Sequence, residues 1–163
     1  MMKTILLARH AKSDWNQPSK SDFERTLNAR GETDADSMAE LLQQGSCLPE
    51  QIISSDAVRA LATANKYSAA LKPGKGLVEN HKLYNASLQD ILQVIVNLPQ
   101  VCDTVMLVGH NPGMSEALNY FLPTGVQDMP TCSVGIVQFD IEQWREVSRR
   151  MGEILAYEYP KKP

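Results

Sequence analysis

Lys3-Thr4-Ile5-Leu6-Leu7-Ala8-Arg9-His10 is a nearly continuous apolar run that stops at two basic side chains. A run without polar alternation is what a strand buried on both faces requires, and such strands belong to parallel sheets covered by helices. Thr104-Val105-Met106-Leu107-Val108 repeats the pattern, and Gly109-His110-Asn111-Pro112-Gly113 follows it. In open α/β sheets ligands sit beyond the C-terminal ends of the strands. If both strands are central, His10 and His110 meet at one rim although they are far apart in sequence.

The residues between these runs alternate in the same sense. Asn28 is placed to cap a helix carrying Ala35, Met38, Ala39, Leu41 and Leu42, with Gly45 as its stop. Gln51 to Ser54 reads as a second strand. Ser55 or Asp56 is placed to cap a helix through Val58, Leu61, Ala62, Tyr67 and Leu71, ended by Pro73-Gly74. Leu77 to Leu83 is expected to hold a short strand, and Ser87 to cap a helix with Leu88, Ile91, Leu92 and Ile95 on one face. Asn111 caps and Pro112 opens a helix reaching Leu122. Val134 to Phe139 and Ile154 to Tyr159 read as final strands near the sheet edge, with Trp144 to Met151 open between helix and coil. The β-α-β-α order defines an α/β protein.

One domain spanning residues 1–163 suits a chain of this length. Sixteen Lys and Arg against nineteen Asp and Glu leave a net charge of −3, so no global positive field draws in nucleic acid or anionic lipid. Any bound anion must be held locally. Cys47, Cys102 and Cys132 are widely spaced with no CxxC pair, which fits reduced thiols better than a disulfide framework or a zinc knuckle. The apolar run at the start is too short for a signal-peptide core or a membrane span. The expected location is the cytoplasm, with a monomer as the default state and only the Pro160–Pro163 tail frayed.

The stretch from Ala11 to Arg25 has no period and holds Pro18 with several Ser and Asp, so it reads as a long, site-forming loop. Arg9 precedes His10, Arg25 closes the loop, and Arg59 opens the helix after the second strand. Histidines and arginines at strand ends and loops suggest a phosphate pocket. The plainer reading makes each of them a solvated loop residue, as fits His81, Arg30, Arg145, Arg149 and Arg150. That reading is weakest for Arg9 and His10, because a basic group at the buried end of a core strand needs a partner or a role. Since neighbours on a strand point to opposite faces, the two share a pocket only if the strand bends into its loop there.

Arg9-His10-Ala11-Lys12-Ser13-Asp14-Trp15-Asn16 resembles the arginine-histidine-glycine signature of the histidine phosphatase superfamily. Arg25-Thr26-Leu27-Asn28-Ala29-Arg30-Gly31, Ser54-Ser55-Asp56-Ala57-Val58-Arg59 and Val108-Gly109-His110-Asn111-Pro112-Gly113 are similar to its further marks, in the family's order. The second of the four stretches looks like that of the small, stand-alone SixA-type phosphohistidine phosphatases. The resemblance implies a phosphoglycerate mutase-like fold, a three-layer α/β/α sandwich around a mostly parallel sheet. It implies His10 as nucleophile, and Arg9, Arg25, Arg59 and His110 as holders of the phosphoryl oxygens. Ser13 and Asn16 join them as substrate-binding residues. No metal or cofactor is implied. The chain departs from the pattern at Ala11, where glycine is usual, and at Thr26 and Asp56, where proline is usual. Ala11 is expected to narrow the pocket floor, and the other two to change loop stiffness.

A histidine attacks phosphorus only when its ring nitrogen is unprotonated, and nearby guanidinium groups favour that state while stabilising the phosphoryl oxygens. The favoured substrate is a phosphohistidine in a protein or another small phosphoramidate. The alternatives are a phosphomonoesterase or mutase acting on a sugar or glycerate phosphate, and a catalytically silent phosphate-binding module. Esterase members carry a pocket carboxylate as general acid, and the corresponding region here offers only Glu79, which reads as a solvated loop residue.

Overall fold

The computed structural model describes residues 2–125 and 128–160, so most of the tail read as frayed lies outside the described residues. Strand β1 (Met2–Arg9) lies at the centre of a six-stranded sheet of order β3-β2-β4-β1-β5-β6 among the described residues. Its neighbours are β4 (Thr104–Gly109), which runs parallel to it, and β5 (Val134–Asp140), which runs antiparallel. Beyond β4 lie β2 (Gln51–Ser54) and β3 (Leu77–Glu79), both parallel, and β6 (Glu153–Glu158) forms the far edge.

The pleat explains why β1 and β4 are apolar without alternation. Ile5 and Leu7 join Val105 and Leu107 in one core, which α3 (Leu88–Val96) and α4 (Gly113–Phe121) cover with Ile91, Ile95, Leu118 and Phe121. Leu6 and Ala8 join Met106 and Val108 in the other, covered by Met38 and Leu42 of α1 (Ala29–Gln43) and by Ala64 and Tyr67 of α2 (Val58–Leu71). Each strand residue therefore meets a helix layer whichever way it points. The result is the three-layer α/β/α sandwich. No described helix is long and apolar enough to cross a membrane.

Local chemistry sets most boundaries. Asn28 accepts from Gly31 N and caps α1, and Ser87 with Asp90 forms a capping box at α3. The last two strands lie at one side of the sheet as expected, β6 at the edge and β5 next to it, with the Val134 to Val137 stretch of β5 buried throughout, as apolar residues on both faces require. Strand β3 stops at Glu79, and His81–Leu83 is a 3-10 turn capped by Asn80. Trp144–Glu146 is likewise a 3-10 turn. The expected caps of α2 and α4 are corrected. Neither Ser55 nor Asp56 caps α2, whose N-cap is Ala57 with no side-chain bond. Pro112 stands one place before α4, while Asn111 Oδ1 accepts from Ser115 N as a cap would.

Candidate active site

The register of β1 on β4 pairs Arg9 with Gly109, so the next residue on each strand is a histidine. His10 N donates to Gly109 O at 3.1 Å, and the two imidazole centroids lie 5.0 Å apart. Strand β1 ends at Arg9, and beyond the pleat Arg9 and His10 line the same cavity. The segment entering β5 clamps this corner from the other side: Arg9 N donates to Ser133 O, Cys132 N to His10 O, and Arg9 Nη1 to Met129 O.

The cavity measures about 470 Å³, and its walls include Arg9, His10, Ser13, Trp15, Asp22, Arg25, Arg59, Asn85, His110 and Thr131. Two other clefts, of about 580 and 650 Å³, are larger, but no histidine lines either of them. Size does not distinguish the site; its chemistry does.

His10 Nδ1 lies 2.7 Å from Ala11 O, which can only accept, so the proton sits on Nδ1 and the lone pair on Nε2. Arg59 Nε donates towards that lone pair at 3.4 Å. Burial depresses the His10 pKa to about 3, with smaller contributions from His110, Arg59 and Arg9. The arginines are thus secondary to desolvation in keeping the ring neutral. His110 is lowered to about 4, again first by burial and then by Arg59, and its Nε2 lies 2.7 Å from Ser55 Oγ. Ser55 also accepts from Ala57 N, so this serine orients the second histidine instead of capping α2.

Arg25 reaches the pocket because the long loop folds back on β1. Asn28 N donates to Lys12 O, Asp14 N to Thr26 O, and Ser13 bridges Leu27. Arg25 Nη1 donates to Ser13 Oγ, and its guanidinium stacks 3.6 Å from the ring centre of Trp15, which is itself 76% exposed. Asn16 is exposed and outside the cavity wall, its backbone N bound to Asp14. Ala11 does not narrow the pocket floor: it is fully buried against the α1 and α2 core, and its N donates to Thr63. Thr26 N and Oγ1 bond Gln17, and Asp56 pairs with the exposed His81.

Asp22 was hidden in the loop. One of its carboxylate oxygens accepts from Arg25 at 2.8 Å, and the other from Arg59 at 3.1 Å and Tyr84 at 2.6 Å. These donors, Arg25 first, hold its pKa well below the usual carboxylate range. Three of the four buried polar side-chain atoms without a partner among the described residues, Arg9 Nε, Arg25 Nε and His110 Nδ1, belong to residues of this cavity. Such atoms are uncommon in folded proteins, and their gathering here marks a place built for a polar partner. No group of three or more His, Cys, Asp or Glu suited to a metal ion occurs among the described residues.

Paired histidines and three guanidinium groups beyond the C-terminal ends of the central strands of an α/β sandwich have the geometry and charge that suit a compact oxyanion. A sequence profile of the histidine phosphatase superfamily (branch 1) matches residues 5–91. An uncharacterized chloroplastic protein of Arabidopsis thaliana is 30% identical over 156 residues, covering 88% of this chain and 70% of that protein. A structure from Agrobacterium tumefaciens assigned as a phosphohistidine phosphatase SixA is 28% identical, with TM-score 0.80, and covers 98% of this chain and 99% of its own. A SixA structure from Nakamurella multipartitia, 18% identical over 98% of this chain and 97% of its own, has TM-score 0.85 and shares the fold. The chain belongs to the histidine phosphatase superfamily, branch 1, and is SixA-like. It is a phosphatase that works through a histidine nucleophile.

Proposed function

We propose that the protein hydrolyses phosphohistidine, in a protein or as a related phosphoramidate, and that His10 carries the phosphoryl group between substrate and water. One observation carries the substrate reading: the only carboxylate among the cavity-lining residues, Asp22, is anionic and bonded to three donors, two of them guanidinium groups. It has no proton to give. An alkoxide departs badly without a general acid, whose help contributes about 10²–10⁴ in rate. The imidazole of a phosphohistidine takes a proton from water and leaves as a neutral ring.

In the first step His10 Nε2 attacks phosphorus and the substrate P–N bond breaks, its electron pair passing to the leaving nitrogen. Arg9, Arg25, Arg59 and His110 hold the non-bridging oxygens, with Ser13 on the same wall accepting from Arg25 Nη1. In the second step water attacks the phosphorylated His10, releasing inorganic phosphate and returning the lone pair to Nε2. Asn16, exposed and next in sequence to the cavity-lining Trp15, is left to meet only the part of a substrate that extends beyond the cavity.

Glu79 is exposed and outside the cavity wall. Rates measured side by side on a phosphohistidine peptide and a panel of phosphate esters test the reading. Phosphoramidates and activated aryl phosphates are expected to be turned over far faster than alkyl phosphates, with Glu79→Gln silent on phosphohistidine. Efficient hydrolysis of a sugar phosphate, lost in Glu79→Gln, overturns it in favour of a metabolic phosphomonoesterase.

A further inference from the structure

We propose that Asp22 is the positioning residue of this pocket, gripping the outer edge of Arg59 so that its Nε edge is aimed at His10, and tying Arg25 to the same carboxylate. The inference rests on the reading of the cavity as a phosphoryl site. A guanidinium offers two donor edges, and either can face an oxyanion. Asp22 occupies one edge of Arg59 completely: its backbone carbonyl accepts from Nη1 at 2.6 Å, and its carboxylate from Nη2 at 3.1 Å. The other edge is left turned inward, with Nε 3.4 Å from His10 Nε2.

The order of the groups supports a role through the arginines. The Asp22 side chain is 46% exposed, against 4% for Arg59 and 10% for Arg25, so the carboxylate stands on the solvent side of both cations. Three guanidinium groups round one cavity repel one another, and Asp22 is the only anionic side chain among the lining residues. Asp22 itself is fixed twice. Tyr84 donates its hydroxyl to Oδ2 at 2.6 Å, and Val58 N donates to Phe23 O at 3.0 Å, joining the loop beside Asp22 to the start of α2 beside Arg59. Backbone and side chain thus lock the loop and the helix together at the point where Arg59 leaves the helix.

Calorimetric titration with inorganic phosphate, alongside turnover of a phosphoramidate and thermal unfolding, tests the proposal in a double-mutant design. Asp22→Ala is expected to weaken phosphate binding about tenfold, in line with other charge-assisted contacts, with an unfolding midpoint close to wild type. In an Arg59→Lys background the same substitution should cost only about twofold, whereas in an Arg9→Lys background most of the loss should persist, since among the described residues Asp22 holds Arg59, Arg25 and Tyr84 by hydrogen bonds and not Arg9. Tyr84→Phe, which removes only the outer anchor, should weaken phosphate in the same direction by a smaller factor. Equal losses in both backgrounds, or unchanged or tighter phosphate binding in Asp22→Ala, overturn the positioning role. Failure of the wild-type protein to bind phosphate at all overturns the phosphoryl-site reading beneath it, a result distinct from either.

Discussion

At the scale of single residues, the proposed chemistry turns on which nitrogen of His10 is free. The Ala11 carbonyl holds the proton on Nδ1, so Nε2 is the base, and burial keeps it unprotonated. His10→Ala is expected to abolish turnover with an unchanged circular dichroism spectrum. Rapid quenching of the wild type should trap acid-labile, base-stable phosphate on His10, and label on Ser13 or Ser115 instead would refute the assignment. Protonation removes the nucleophile, so activity falls as pH drops through the folded-state pKa. With that value at about 3, kcat/KM should stay level well below pH 6 for a substrate that does not titrate there. An acid limb centred near 6.5 would show His10 to be ordinary. Arg59→Lys keeps the charge but loses the planar fork, and should lower kcat by about 10²–10³, the range found for a lost oxyanion donor.

At the scale of elements, the pocket depends on how α1 backs against the loop after β1. A Cβ on Gly31 would stand 2.0 Å from Lys12 O, a backbone atom that cannot swing aside. Gly31→Ala should therefore destabilise the fold by about 1–3 kcal/mol, as overpacking does, and also lower turnover, because Lys12 lies between His10 and Ser13. Ser87→Ala loses the α3 capping box, and should cost about 1 kcal/mol with turnover unchanged. Denaturant unfolding and initial rates on both variants check the contrast. The strand ends were legible in the sequence because an apolar run that stops at a histidine is a sharp signal, and the long loop was legible as site-forming because it lacked any period. Asp22 was not, since a lone aspartate in a polar loop looks like every other one until the fold brings Arg59 to it. Tyr84 and the Met129–Thr131 segment carried no local pattern at all; they reach the site through the 3-10 turn after β3 and through the interior placement of β5.

At the scale of the whole molecule, two buried neutral histidines couple stability to pH. Both folded-state pKa values lie below the unfolded value near 6.5, so between them the unfolded chain binds more protons than the native one. Stability then falls as pH drops through that window, by about 1.4 kcal/mol per pH unit for each histidine once its unfolded form is protonated. Denaturant midpoints at pH 7 and 5 should differ in that sense, and the difference should shrink in His10→Ala; an unchanged difference would place the effect elsewhere. The pairing of β1 with β4 also bears on how the enzyme comes into being. Strand β4 follows β1 only after three helices and two further strands, so the corner that holds His10 and His110 closes a long stretch of chain. High contact order of this kind makes such a pairing slow relative to helix formation. A chain emerging from the ribosome has its arginines well before its second histidine, so the proposed site is complete only once β4 is threaded beside β1.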